Sequence, residues 1–267
     1  MKKLRTIFLT AAFSLLLTGG AAQAATINAP SNPGEASLEE ILHGIGATSV
    51  RASGSNNSAM EPDKYWTATV VGAKSEVVIQ LTTGNGAEFG IYDAANKDNF
   101  IKIFDGGSVS GQSASIQINS AGLVIVTLLP SLDEATGELN KPTYDSVKFD
   151  AGNIFGFYYN DGTKTLYSDD AYNDGGYDHM AAFAGNDLDY LTIGNGANQY
   201  KGFFGTGDRI LAWDDSAMDG DYNDFIVMVE SMNPASTVPE PTSMLLLGCG
   251  LIGVGVFGYR KLQNTQK

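Results

Sequence analysis

The chain has 267 residues, 32 of them glycine, and sets 30 acidic against 16 basic residues for a formal net charge of −14. Six of the 16 basic residues (Lys2, Lys3, Arg5, Arg260, Lys261, Lys267) stand in the end segments, so only ten remain to oppose the 30 acidic ones. A body this acidic repels nucleic acid and anionic lipid but attracts divalent cations, although charge kept for solubility would look the same. The one cysteine, Cys249, lies in a C-terminal apolar run, which excludes disulfides and Cys-based metal or nucleophile sites in the body.

In chain order, residues 1–24 come first. Lys2, Lys3 and Arg5 give a positive start, Ile7 to Leu17 an apolar core, and Ala22-Gln23-Ala24 the small residues that signal peptidase requires. The spacing predicts a secretory signal cleaved after Ala24. Residues 25–36 then read as a loose, polar lead. Ser37-Leu38-Glu39-Glu40 is a capping box, which opens a short helix with Leu38, Ile41 and Leu42 on one face and Gly44 as its stop. His43 falls near the end of that helix, as a capping or surface residue.

From Tyr65 the apolar period becomes two. Trp66, Ala68 and Val70 form one set, Val77, Ile79 and Leu81 a second, and Phe89 and Ile91 a third, followed by a turn over Asp93–Asn99. Ile101 and Ile103, Ile116 and Ile118, and a more buried run from Leu123 to Leu128 continue the pattern. Val147 and Phe149, residues 153–159, His179 to Ala184, Arg209 to Trp213 and Phe225 to Glu230 complete it, with Asp161-Gly162-Thr163 as a hairpin turn and 168–178 as an acidic loop. Short strands punctuated by Gly and Asn predict an all-β protein, an antiparallel, jelly-roll-like β-sandwich behind a short N-terminal helix. One sandwich and two packed β modules both fit. The expected organisation is a signal peptide over 1–24, a lead with its helix over 25–64, the β body over 65–232 (with an Asp-rich part over 145–230), and a tail over 233–267.

Between Asp145 and Asp224 stand 15 Asp, no Glu and four basic residues. The densest stretch runs from Trp213 to Phe225. Asp219, Asp221 and Asn223 match positions 1, 3 and 5 of a calcium loop and Glu230 matches position 12. Asp224, however, occupies the position that demands glycine, and a strand pattern follows instead of a helix. The stretch thus departs from an EF-hand at two of its requirements. Two readings stand: a different Ca²⁺ site drawn from Asp214, Asp215, Asp219, Asp221, Asn223 and Asp224, or a set of turn-forming carboxylates bonded to nearby amides. The run Val147 to Tyr158, with Leu211 to Asp215 and Asp219-Gly220-Asp221-Tyr222-Asn223-Asp224-Phe225, resembles the Asp-rich β module known as domain of unknown function 4114. That resemblance implies extracellular company and calcium rather than a reaction.

At the far end, Pro239-Glu240-Pro241 precedes a Gly-rich apolar run from Ser243 to Tyr259, and Arg260 and Lys261 follow at once. The run is near the lower limit of about 17 residues for a membrane span. The basic pair would lie on the cytoplasmic side, with the body outside. These three parts in order resemble the PEP-CTERM sorting signal. The resemblance implies recognition at Pro239, Glu240 and Pro241 by an exosortase-type transpeptidase, transient residence in the inner membrane, and release or attachment outside an exopolysaccharide-producing Gram-negative cell.

Two histidines, His43 and His179, are present, without a Gly-x-Ser-x-Gly elbow or a His-Glu-x-x-His helix. The expected function is therefore a surface or matrix structural protein, associated with exopolysaccharide in a biofilm and stabilised by Ca²⁺, and not an enzyme. The alternative is a carbohydrate-binding module that stacks sugars on aromatics among Trp66, Tyr158, Tyr159, Tyr172, Tyr177 and Trp213. A glycoside hydrolase or lyase using a carboxylate pair is the third reading.

Overall fold

A computed structural model describes residues 26–54, 57–60, 63–68, 75–83, 87–132, 138–139, 141–194 and 196–235. The signal segment with Ala22 and Ala24, the tripeptide Pro239-Glu240-Pro241, the apolar run 243–259 and the pair Arg260 and Lys261 lie outside the described residues. Among the described residues, no helix is long and apolar enough to cross a membrane.

The chain is mostly β, with one short helix, α1 (Leu38–Gly44). The capping box forms in full: the Glu40 N–H donates to the Ser37 hydroxyl and the Ser37 N–H donates to the Glu40 carboxylate at 2.9 Å. Leu38 and Leu42 are buried, while His43 is exposed and meets the Val50 carbonyl. The helix ends at Gly44, and the left-handed turn that carries the chain away falls two residues later, at Gly46. Gly46 takes φ +102, and a Cβ there would collide with the Tyr190 carbonyl.

Two antiparallel sheets hold the body. The first has the order β15 (Met232–Pro234), β1 (Trp66–Ala68), β8 (Ile154–Asn160), β3 (Glu88–Asp93), β4 (Asn96–Phe104), with β9 (Thr165–Tyr167) paired to β8. The second has the order β10 (Met180–Ala184), β13 (Arg209–Trp213), β14 (Phe225–Val229), β2 (Ser75–Thr83), β5 (Ser113–Ile118), β6 (Leu123–Leu128), β7 (Thr143–Lys148). Each sheet takes strands from both halves of the chain, since β8 lies between β1 and β3 and β14 lies beside β2.

The sheets meet face to face across aromatic rings. Phe89 and Tyr159 from the first sheet touch Trp213 and Phe225 from the second, with Phe89–Phe225 centroids 5.2 Å apart and Tyr159–Trp213 centroids 5.8 Å apart. All four rings are buried, each stabilising the fold by about 1.5–3 kcal/mol through lost apolar surface alone. A second apolar layer covers the opposite face of the seven-stranded sheet. There Ile210, Ala212, Ile226 and Met228 pack with Leu38 and Leu42 of the helix and with Leu191 and Ile193. Both faces of β13 and β14 are therefore buried, and neither strand alternates.

Several local expectations change. The turn proposed over Asp93–Asn99 shrinks to Ala94 and Ala95, because the polar run Asn96 to Asn99 already belongs to β4. The run Leu123 to Leu128 is less buried than its composition suggests, with Leu123 43% exposed. A two-stranded ribbon, β11 (Tyr190–Ile193) with β12 (Tyr200–Phe203), was not expected. The loose lead is instead docked from Ile27 onward: Ile27 is buried and bridges to Gly54, and the Asn28 N–H donates to the Gly220 carbonyl at 2.7 Å. Phe225 does begin a strand, so no helix leaves the Asp-rich loop.

Candidate metal centre

The Asp-rich stretch is the connection from Asp214 to Asp224 that joins β13 to β14. Trp213 and Phe225 are directly paired, so Asp214 and Asp224 start out as neighbours at the open end of the hairpin. Between them the backbone enters the left-handed region at every second residue, at Met218 (φ 56), Gly220 (φ 78) and Tyr222 (φ 55). For Met and Tyr this conformation is strained, and it persists because the surroundings fix it. Tyr222 is buried and its hydroxyl donates to the Asp178 carbonyl at 2.6 Å. The tight path returns Asp221 to the strand ends, where one carboxylate oxygen each from Asp214, Asp221 and Asp224 lies within 4.8 Å of the others.

Asp214 is fully buried, Asp221 is 2% exposed, and Asp224 is half-buried. The Asp214 carboxylate accepts the Tyr177 hydroxyl at 2.8 Å and the Gly220 N–H at 3.1 Å. Asp224 accepts the Asp215 N–H at 2.8 Å. Asp221 has the poorest company, the Asn223 N–H at 3.4 Å. The ion pairs among the described residues belong to Lys64, Lys97, Lys102 and Lys164, and none involves this trio. Burial, helped by neighbouring carboxylates, pushes Asp214 and Asp221 up to about 6 and Asp224 up to about 7. Three acids drawn together out of water thus have no Lys or Arg paired with them among the described residues.

The other three predicted ligands do different work. The Asp215 carboxylate caps its own turn by accepting the Ala217 N–H at 2.7 Å. Asp219 stands beside the trio, its side chain interacting with Asp214 and Asp221, and it also holds the lead: its carboxylate accepts the Ser31 hydroxyl and its carbonyl accepts the Asn28 amide at 2.7 Å. The Asn223 amide donates to the Ala36 carbonyl at 3.0 Å. Glu230 lies at the far end of β14, where its carboxylate accepts the Tyr200 hydroxyl at 2.7 Å. Sequence reasoning missed Tyr177, Gly220 and Asn28 as supports of the loop. The Asp-Gly pair at 219–220 was the one available signal for a tight turn there.

The histidines join no catalytic pair. His179 follows Asp178 in sequence, but its Nδ1 meets the Asp214 carbonyl at 2.9 Å, while the Asp178 carboxylate accepts the Met180 N–H. Of the six aromatics considered for sugar stacking, Trp66, Tyr158, Tyr159 and Trp213 are core residues and are withdrawn from that role. Tyr177 is half-buried, with its hydroxyl on Asp214. Tyr172 is 38% exposed.

The sites of three acids fit a hard cation. Two oxygens bound to one Ca²⁺ at about 2.3–2.6 Å lie at most about 5 Å apart, so carboxylates within 4.8 Å of each other can share an ion with little movement. The donor set is all oxygen, which favours Ca²⁺ or Mg²⁺ over Zn²⁺.

Residues 237–261 match the PEP-CTERM protein-sorting motif. The motif marks an exported protein with a transiently membrane-associated sorting tail, processed by an exosortase-type enzyme. No curated protein and no solved structure matches the chain.

Proposed function

We propose that this is a surface or extracellular-matrix protein of structural rather than catalytic kind, delivered through its PEP-CTERM tail and stiffened outside the cell by a divalent cation in the Asp214–Asp224 loop. The observation that carries the cation is the convergence of Asp214, Asp221 and Asp224 within 4.8 Å with no Lys or Arg among the described residues paired to them. Calcium is the ion of choice, because it accepts several carboxylates in irregular geometry and is at hand outside cells. The resemblance of residues 145–230 to the Asp-rich extracellular module belongs to the same reading, as do removal of residues 1–24 by signal peptidase, the two facing sheets as a jelly-roll-like sandwich, and retention with exopolysaccharide in a biofilm matrix. The structural role is supported by histidines bonded to carbonyl oxygens rather than to a nucleophile.

When bound, the cation would supply charge neutralisation and a cross-link, and the chain's own residues do the rest. Asp214 and Asp224 fix the two strand ends, and Asp221 closes the loop over them. Asp219 and Asn223 carry the order outward to the lead segment. The test is thermal unfolding of the full chain in chelator and in Ca²⁺. At 100 times its dissociation constant, a ligand stabilises by about 2.7 kcal/mol. At about 2–4 °C per kcal/mol for a domain of this size, the midpoint should rise by roughly 5–11 °C. An unchanged midpoint in both Ca²⁺ and Mg²⁺ would overturn the cation.

A further inference from the structure

Beside the Asp loop lies a cleft of about 280 Å³, walled by the β8–β9 hairpin, the 172–174 turn and the outer part of the loop. Leu166 is its buried apolar lining and Tyr172 its exposed ring. That ring is held in place by edge contacts to Tyr92 and Tyr167, with centroids 6.0 and 5.7 Å away. The charged lining is Lys164 and Asp174, paired at 2.8 Å, and the neutral polar lining is His179 with Thr165, Asn173 and Ser216. His179 is only 2% exposed, and its Nδ1 must donate to the Asp214 carbonyl, which can only accept. Burial lowers the His179 pKa and favours the neutral ring, so its other nitrogen, Nε2, is an acceptor, and His179 lines the cleft.

The cleft thus offers an ammonium donor, a carboxylate acceptor, an imidazole acceptor, one preorganised ring and an apolar patch. The ligand that matches carries hydroxyls, each both donor and acceptor, along its edge and C–H groups on its face. An anionic ligand is disfavoured, because Lys164 is already paired with Asp174, and Asp161 and Asp215 stand close behind Ser216. The volume falls just below the roughly 300 Å³ at which pockets for drug-sized molecules begin, which suits one ring rather than a long segment.

We propose that this cleft holds a single neutral pyranose unit of a polysaccharide, with its C–H face on Tyr172 and its hydroxyls on Lys164, Asp174 and His179. The site is separate from the cation trio, although Ser216 and Met218 of the cleft belong to the same loop. The proposal rests on the extracellular reading only for where such a polysaccharide would be met.

The experiment is calorimetric titration of the full chain with three neutral hexasaccharides (cellohexaose, laminarihexaose and maltohexaose) and with hexagalacturonate as the anionic probe, each in Ca²⁺ and in chelator. The expected result is saturable binding of at least one neutral probe and none of the anionic one. Tyr172→Ala should weaken that binding by about tenfold or more, while Tyr172→Phe, which keeps the ring, should bind as the wild type does. Unchanged melting of both variants would show that the fold is intact. Silence with all three neutral probes, preference for hexagalacturonate, or equal binding by Tyr172→Ala would each overturn the proposal. None of these outcomes depends on the melting shift that tests the cation.

Discussion

Asp224→Asn is the sharpest perturbation of the Asp loop, because it removes a charge while leaving the shape. The asparagine oxygen can still accept the Asp215 N–H that Asp224 accepts at 2.8 Å. Burial raises the Asp224 carboxyl from its ordinary 3.8 to about 7, so in metal-free protein its ionised form opposes folding. A raised carboxyl pKa means that the native state binds the extra proton. The opposition is therefore absent below pH 3.8, grows through the window between, and is complete above about pH 7. At about 1.36 kcal/mol per pKa unit, the ceiling is about 4 kcal/mol. Asp224 is half-buried and shares its field with Asp214 and Asp221, so about half of that, roughly 2 kcal/mol, is the working figure. In chelator at pH 8 the variant should melt about 4–8 °C above the wild type, and at pH 5 the gain should fall to roughly a third. In Ca²⁺ the order reverses, since the variant has lost a ligand and most of the calcium response. Scanning calorimetry at the two pH values, with and without Ca²⁺, reads all four cases. A variant less stable than the wild type in chelator at pH 8, or one with the same offset at both pH values, would refute the reasoning.

Other outcomes follow from the same structure. Phe89→Ala empties the contact between the sheets and should lower stability by about 3–5 kcal/mol, read from urea unfolding; a loss below about 1 kcal/mol would mean that the sheets do not meet there. Gly220→Ala places a Cβ 2.6 Å from the Asn28 amide on a backbone with φ +78. It should cost about 1–3 kcal/mol and open the 26–36 lead to limited proteolysis, while a protease-resistant lead would contradict the docking. Replacing Pro239, Glu240 and Pro241 together with alanine should leave the C-terminal tail on the exported protein, as measured by intact mass. Normal tail removal in that variant would separate processing from the motif.

Much of the architecture was legible in the residues. Ser37 and Glu40 announced a capping box because both halves of that motif are local, and they bond as expected. The strand pattern of Ile116 and Ile118 survives because the half-buried Gln117 stands between two core residues, whereas β3 with Phe89 and Ile91 is buried throughout from Phe89 to Asp93. Where both faces are covered, as at Arg209–Trp213, composition gives a strand but not what lies above it. The ribbon at Tyr190–Ile193 and Tyr200–Phe203 escaped notice because four-residue strands carry two periods at most. The lead looked loose because its order comes from Asn28 and Ser31 meeting Asp219, contacts about 190 residues apart that no local pattern encodes. For the same reason the six candidate ligands could be proposed together but not sorted. Strand register joins Asp214 to Asp224, the left-handed turns return Asp221, Asp215 and Asn223 bond backbone groups, and Asp219 ties down the lead.

The direct trial of the cation is to count it. The full chain, exchanged into metal-free buffer and dialysed against Ca²⁺, should carry one calcium per molecule by elemental mass spectrometry, and the Asp221→Asn/Asp224→Asn double variant should carry none. A wild type that returns from dialysis free of calcium, or a double variant that retains as much as the wild type, would contradict the account.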